Sequence, residues 1–314
     1  MSFVRAVALV LVLALVGCGE PAEYPAKDIT IVIPMNSGGG FDTYVRALAP
    51  GFEQHLPGDA NVLPKNLPGA GGRRGATEIF RSRPDGYTIG IFNMPGVLIP
   101  QLQGMPISYE LSRVTWLATL GYDPYVYAVK GDSPLRSIED VRALGRTVTY
   151  GATGPGSTQF VATNIINARL GIPYDVITGY EGSAGYLLGL IRGDFDVAMI
   201  SFSAARTYLD SGDIRALAVF GTESDTPDIA DAYDLGVPEL AELRVVRVMG
   251  APPDLPPDIR ATIEAALLAA MDDANFRQWL ESTGNEVHPA NAVDTAVAVT
   301  KMTEFYDQFK DLLD

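Results

Sequence analysis

Three consecutive glycines, Gly38-Gly39-Gly40, stand between the apolar run Ile29-Thr30-Ile31-Val32-Ile33 and the acid Asp42. Glycine accepts positive φ and lets a ligand come close to the backbone. A helix start leaves unpaired N–H groups and roughly half a positive charge. Ser37 to Asp42 therefore has the composition of an anion seat at the head of a helix. The same loop would serve as a ligand-free tight turn, and its residues alone leave both readings open. A second stretch of this kind, Gly154-Pro155-Gly156-Ser157-Thr158, follows the segment Thr147 to Gly151, and a third glycine-dense turn runs from Asn66 to Gly75.

Reactive side chains are scarce beside these loops. No glycine turn carries the Gly-Lys-Ser/Thr of a phosphate loop. Gly69 to Gly75 imitates a dinucleotide fingerprint, but its third glycine falls one position late and the following strand ends in Asn93 rather than an acid. Ser157 and Ser183 lack the Gly-x-Ser-x-Gly setting of a nucleophile elbow. The chain has only two histidines, His55 and His288, both expected at the surface, which argues against a His-based acid–base or metal site. Asp194 and Asp196 read as the flank of a strand, Arg73-Arg74 as a solvated helix start, and Trp116 and Trp279 as core. The expectation is no catalytic residue, no metal and no cofactor: a binding protein, not an enzyme.

The elements that must hold these loops alternate. Ile29 to Ile33 reads as a buried strand, and Phe41, Tyr44, Val45, Leu48 and Phe52 recur at helical spacing to about His55. Strands follow at 61–63 and 87–92, with a helix through Phe80 between them. The turn Arg83-Pro84-Asp85-Gly86 precedes the second of these strands, which ends in the loop Asn93-Met94-Pro95-Gly96. Further strands are expected at 125–129, 147–151, 176–177, 196–200 and 215–220. Helices lie between, one capped by Ser137 and one through Leu170. Three helices close the chain: Pro257 to about Met271, Phe276 to Ser282 and Asn291 to Leu312. This is an α/β pattern with a largely parallel sheet, in two halves whose glycine-rich strand ends face a shared cleft.

At 314 residues two domains are the expectation. A net charge of −15 argues against nucleic acid and anionic lipid surfaces as partners, while local backbone dipoles still admit a small anion. Residues 1–17 read as an export signal, with Arg5 ahead of an apolar core from Ala6 to Val16. Leu15-Val16-Gly17-Cys18 reads as a lipobox that leaves Cys18, the one cysteine of the chain, as a lipidated N-terminus on a tether over 18–27. No later segment has the ~20 apolar residues of a membrane-spanning helix.

The ordered set Gly38-Gly39-Gly40-Phe41-Asp42, Asn66-x-Pro68-Gly69-Ala70-Gly71-Gly72, Pro84-Asp85-Gly86-Tyr87-Thr88, Tyr150-Gly151 with Gly154-x-Gly156-Ser157, Tyr180-x-Gly182-Ser183 and Arg215-Ala216-Leu217-Ala218-Val219 resembles the tripartite tricarboxylate transporter receptors, or Bug proteins, from about Tyr24 to the C-terminus. The resemblance implies a two-domain type II periplasmic binding protein fold with two crossing hinge strands. Domain one would be 24–124 plus 249–314 and domain two 125–248. It further implies a small carboxylate held in the interdomain cleft, di- or tricarboxylate or aromatic, largely by backbone groups and water. By position the contacts would be Ser37, Gly38, Gly39, Gly40 and Asp42, then Asn93, Met94 and Gly96. The facing domain would supply Gly154, Gly156, Ser157 and Thr158, with Tyr180, Gly182, Ser183 and Ser201. The chain departs from the family at Asn36-Ser37, where Ala-Pro is common, at Gln159, where His is frequent, and at Phe202-Ser203. The implied role is a monomeric periplasmic or cell-surface lipoprotein that delivers its ligand to a two-component, cation-driven membrane permease. A sensor on the same fold, signalling to a membrane kinase, is the alternative.

Overall fold

A computed structural model describes residues 24–224, 227–283 and 287–313. The expected signal and Cys18 lie outside the described residues. Strand β1 (Ile29–Ile33) is covered on both faces, as its unbroken apolar run requires. Helix α1 (Gly40–His55) leads to β2 (Val62–Asn66), and α2 (Arg73–Arg81) leads to β3 (Thr88–Met94). Both β2 and β3 lie parallel to β1 on either side of it. Tyr44, Val45, Leu48 and Phe52 form the buried stripe of α1, as their spacing dictates. A single turn, α3 (Ile99–Leu102), follows β3.

Next comes β4 (Thr115–Lys130), the strand that joins the two halves. In the second half, α4 (Ile138–Ala143), β5 (Val148–Ala152), α5 (Thr158–Leu170), β6 (Tyr174–Thr178), α6 (Gly182–Arg192), β7 (Val197–Ser201), α7 (Phe202–Asp210) and β8 (Ile214–Phe220) alternate. Ser137 caps α4 as expected, accepting from Asp140 N at 3.1 Å in a capping box. The chain returns through β9 (Arg244–Ala251) and ends in α8 (Pro257–Asp272), α9 (Ala274–Thr283) and α10 (Ala292–Asp307). The expected last helix stops at Asp307 and gives way to a 3-10 turn over Lys310–Leu312.

The strand order is β2-β1-β3-β9-β4-β7-β5-β6, with β8 also paired to β4. Antiparallel β9 pairs β4 as far as Pro124↔Arg244, and from Tyr125 onward β4 pairs β7 and β8 instead. One strand thus serves both halves and changes partners between Pro124 and Tyr125. The sequence reading began this strand only at Tyr125, because Gly121, Asp123 and Pro124 are poor strand formers; pairing with β9 along Thr115–Pro124 overrides that preference. β9 pairs with β4 from Arg244 and with β3 from Val246 onward, ahead of the division expected at 248/249.

One core packs α1, α8 and α9 against the first half, around Phe52, Leu267 and Phe276. Another packs α6 against the second half, around Tyr186, Leu190 and Phe195. The largest covers the opposite face of both. Trp116 is buried edge-on to Phe92, and Trp279, half-buried, stacks on Phe276. His288, expected in solvent, is half-buried with its ring stacked on Tyr122, centroids 3.7 Å apart.

Candidate functional site

Four helices begin at the seam between the halves. The first helical bond of α1 runs from Thr43 N to Gly39 O at 3.0 Å, so the N–H groups of Gly40, Phe41 and Asp42 lie ahead of the ladder. In α5, Ser157 Oγ accepts from Phe160 N at 3.3 Å and Ser157 O from Val161 N at 2.9 Å, which places Thr158 N and Gln159 N ahead of that ladder. Helix α6 starts at Gly182, whose φ of +63° is left-handed and suits glycine. Helix α7 starts just after Ser201.

Their ends line one cavity of about 260 Å³. Gly39, Gly40, Asn93 and Gly96 border it from the first half; Ser157, Thr158, Gly182, Ser183 and Ser201 border it from the second. Asn36 and Gln159, two of the departures from the family pattern, line it too. The halves nearly touch across it. A Cβ on Gly96 would lie 3.4 Å from Thr158 Cγ2, and one on Gly40 would lie 3.8 Å from Ser203 Oγ. A larger hollow of about 630 Å³ lies elsewhere, between β4 and α10 beside Trp116 and Val299, but none of these four helices begins there.

Several expected residues sit elsewhere. Ser37 and Gly38 border an outer groove beside Thr43 and Glu181. Met94 is fully buried in the core. Tyr180 packs edge-on to Phe195 at 5.2 Å and Tyr186 at 6.3 Å. Gly154 and Gly156 shape the loop ahead of α5; Gly154 O accepts from Ser157 N and Gly156 has φ +74°. Asp42 is 2% exposed and turned inward. Its Oδ2 accepts from Gly38 N at 2.8 Å and Ser37 Oγ at 3.4 Å, and its Oδ1 from Arg46 Nε at 2.8 Å and Asn66 Nδ2 at 2.9 Å. Burial is the largest influence on this carboxyl and raises its pKa. The Gly38 N–H, Asn66 and Arg46 together outweigh it and hold the group below the usual carboxylate range. Asp42 is thus an internal anchor of the glycine loop, and it consumes the Gly38 amide.

The sequence reading missed a buried ion pair at the cavity floor. Arg247 of β9 donates from Nη2 to Asp123 Oδ2 of β4 at 2.8 Å, both side chains 3% exposed. The same Nη2 donates to Ser203 Oγ at 3.1 Å. Ser203 in turn donates to Asp123 from N, at 3.0 Å, and from Oγ. The guanidinium lies 5.3 Å from the Phe41 ring centroid and 5.1 Å from that of Tyr44, within cation–π range. The signal was an arginine set in the apolar run Val245-Val246-Arg247-Val248-Met249, because a charge buried in a strand requires a partner. Among the described residues no group of three or more His, Cys, Asp or Glu could hold a metal ion, and no helix is long and apolar enough to cross a membrane.

Residues 45–304 match the family described as tripartite tricarboxylate transporter family receptor. Protein BugT of Bordetella pertussis is 28% identical over 251 residues, 76% of this chain and 76% of BugT. Among solved structures, MatC from Rhodopseudomonas palustris with bound malate shares the fold at TM-score 0.79, with 21% identity over 93% of this chain and 100% of that one. Rpa4515 of R. palustris with adipate does so at TM-score 0.79, with 22% identity over 93% of this chain and 98% of that one.

Proposed function

Because this chain belongs to the tripartite tricarboxylate transporter receptor family, periplasmic solute-binding proteins and not enzymes, we propose that it captures a small carboxylate in the cleft and delivers it to a two-component membrane permease. The observation that carries this reading is the convergence of the starts of α1, α5, α6 and α7 on one small cavity. Free N–H groups and helix dipoles there favour an anion despite the negative charge of the whole molecule. Gly39, Gly40, Ser157, Thr158, Gly182 and Ser183 would supply most contacts from the main chain, with Asn93, Gly96 and Ser201 completing the pocket. Waters would bridge the remainder with little loss of affinity. The division into lobes at Pro124/Tyr125 and near Arg244 would let them open and close as a hinge, and a lipid on Cys18 would tether the receptor outside the cytoplasm. MatC and Rpa4515, with malate and adipate, support the ligand class.

The test is a thermal-shift and calorimetric screen of the purified receptor against malate, adipate, citrate and benzoate. A ligand at one hundred times its Kd adds about 2.7 kcal/mol of stability, which raises the Tm by several degrees. Failure of every acid to raise the Tm or release heat refutes the reading.

A further inference from the structure

Arg247 and Asn93 are register partners on β9 and β3, and both line the cleft. Arg247 carries a buried donor without a partner, its Nε. Native interiors rarely leave such atoms unsatisfied. Both hydrogen bonds of Arg247 leave from Nη2, so most of its five-donor fork is unused. The local charge also lacks a full counterpart. Arg247 and Asp123 cancel, yet the starts of α1 and α7 add roughly half a positive charge each. A Cβ on Gly40, the first residue of α1, would lie 3.9 Å from Arg247 Nη2, and Ser203 N of α7 donates to Asp123. Asp42 in the first turn of α1 and Asp123 at the start of α7 offset part of that charge; what remains favours a carboxylate over a neutral group.

We propose that Arg247 is a specificity-determining residue that binds one carboxylate of the ligand with Asn93 beside it, while the starts of α5 and α6 face a second carboxylate. Asp123 and Ser203 are positioning residues: they fix the Nη2 corner of the guanidinium and leave its other edge to the ligand. The rings of Phe41 and Tyr44 hold the guanidinium away from water. The receptor is then selective for dicarboxylates over monocarboxylates. This assignment rests on the carboxylate reading of the cleft and sharpens it.

The test measures calorimetric Kd values for succinate, malate and adipate and for their mono-methyl esters. The proteins are the wild type, Arg247→Gln, and the double variant Asp123→Asn/Arg247→Gln, which removes both charges together and leaves no buried ion unpaired. We expect each variant to lose at least tenfold in diacid affinity. The preference for diacid over mono-ester should shrink toward unity, a change that a purely structural role of Arg247 would not produce. Wild-type preference retained in the folded double variant overturns the assignment alone. Failure of the wild type to bind any of these acids overturns the carboxylate reading and the assignment with it.

Discussion

Asp42→Asn separates an anchoring role for this carboxylate from ligand contact, because the two predict effects of opposite sign. The substitution keeps the shape of the side chain, and its Oδ1 still accepts from Asn66 and Arg46. The new Nδ2 faces Gly38 N, now donor against donor where a 2.8 Å charge-assisted bond stood. Such a bond contributes about 1.5–3 kcal/mol. The pair with Arg46 adds under about 1 kcal/mol, because Arg46 is 47% exposed and screened. The expected loss is about 2–3 kcal/mol, a drop in Tm of roughly 5–10 °C at roughly 2–4 °C per kcal/mol. The pH dependence follows from the lowered pKa. A carboxylate held below its unfolded value stabilises the fold above that value and loses its contribution as pH falls through the folded one. The gap between wild type and variant should therefore close on acidification below about pH 4. Loosening the loop over 36–40 should also weaken every acidic ligand by a similar factor, about tenfold or 1.4 kcal/mol. Urea denaturation at stepped pH, with calorimetry of one bound acid, reads all three effects. An unchanged Tm with tighter binding of the acid, as expected when a repelling charge leaves a contact surface, would refute the anchoring argument.

Asp196 is held at a pKa of about 2, chiefly by its hydrogen bonds from Arg146, with the N and Oγ of Thr149 also donating. Asp196→Asn should cost stability at neutral pH, and the difference from wild type should fade between pH 4 and 2 in the same denaturation series. Gly131→Ala would place a Cβ 1.9 Å from Gly212 O, a main-chain atom that cannot swing aside; a loss of at least about 2 kcal/mol is expected in denaturant titrations. Gly40→Val would set its Cβ 3.8 Å from Ser203 Oγ and 3.9 Å from Arg247 Nη2, with two methyl groups added beyond it. It should keep the far-UV spectrum and abolish the ligand-induced rise in Tm. Cys18→Ser should move the exported receptor from the membrane fraction to the soluble periplasmic fraction, as read by immunoblot.

The opening strand, the glycine loop and the apolar stripe of α1 were legible because their causes are local: a run without breaks, three glycines and a 3.6-residue period. The same holds for Ser137, whose cap depends on Asp140 three residues on. What escaped was set by distant partners. Asp123 and Arg247 stand far apart in the chain and meet only because β4 and β9 pair. Neither residue type predicts burial until its partner is known. Asp42 was placed in the site because it follows the glycines, yet its direction is decided by Asn66 and Arg46. Met94 adjoins the lining residue Asn93 but is buried in the core, and Tyr180 lies two residues before the lining Gly182 but packs on Phe195 and Tyr186, a distinction that motif position does not carry. The extra length of β4 stayed hidden for a like reason, since pairing with the distant strand β9 holds a proline and an aspartate that local preference would refuse.

The exchange of partners along β4 limits how this protein can be rebuilt. A chimera spliced at any other point of β4 would strip one half of strand that its neighbours pair with, because Thr115–Pro124 belongs to β9 and Tyr125–Lys130 to β7 and β8, so an exchange of halves on this strand is confined to the bond between Pro124 and Tyr125. Ligand preference is accordingly easier to re-engineer by swapping the short loops at the helix heads than by trading whole halves between relatives.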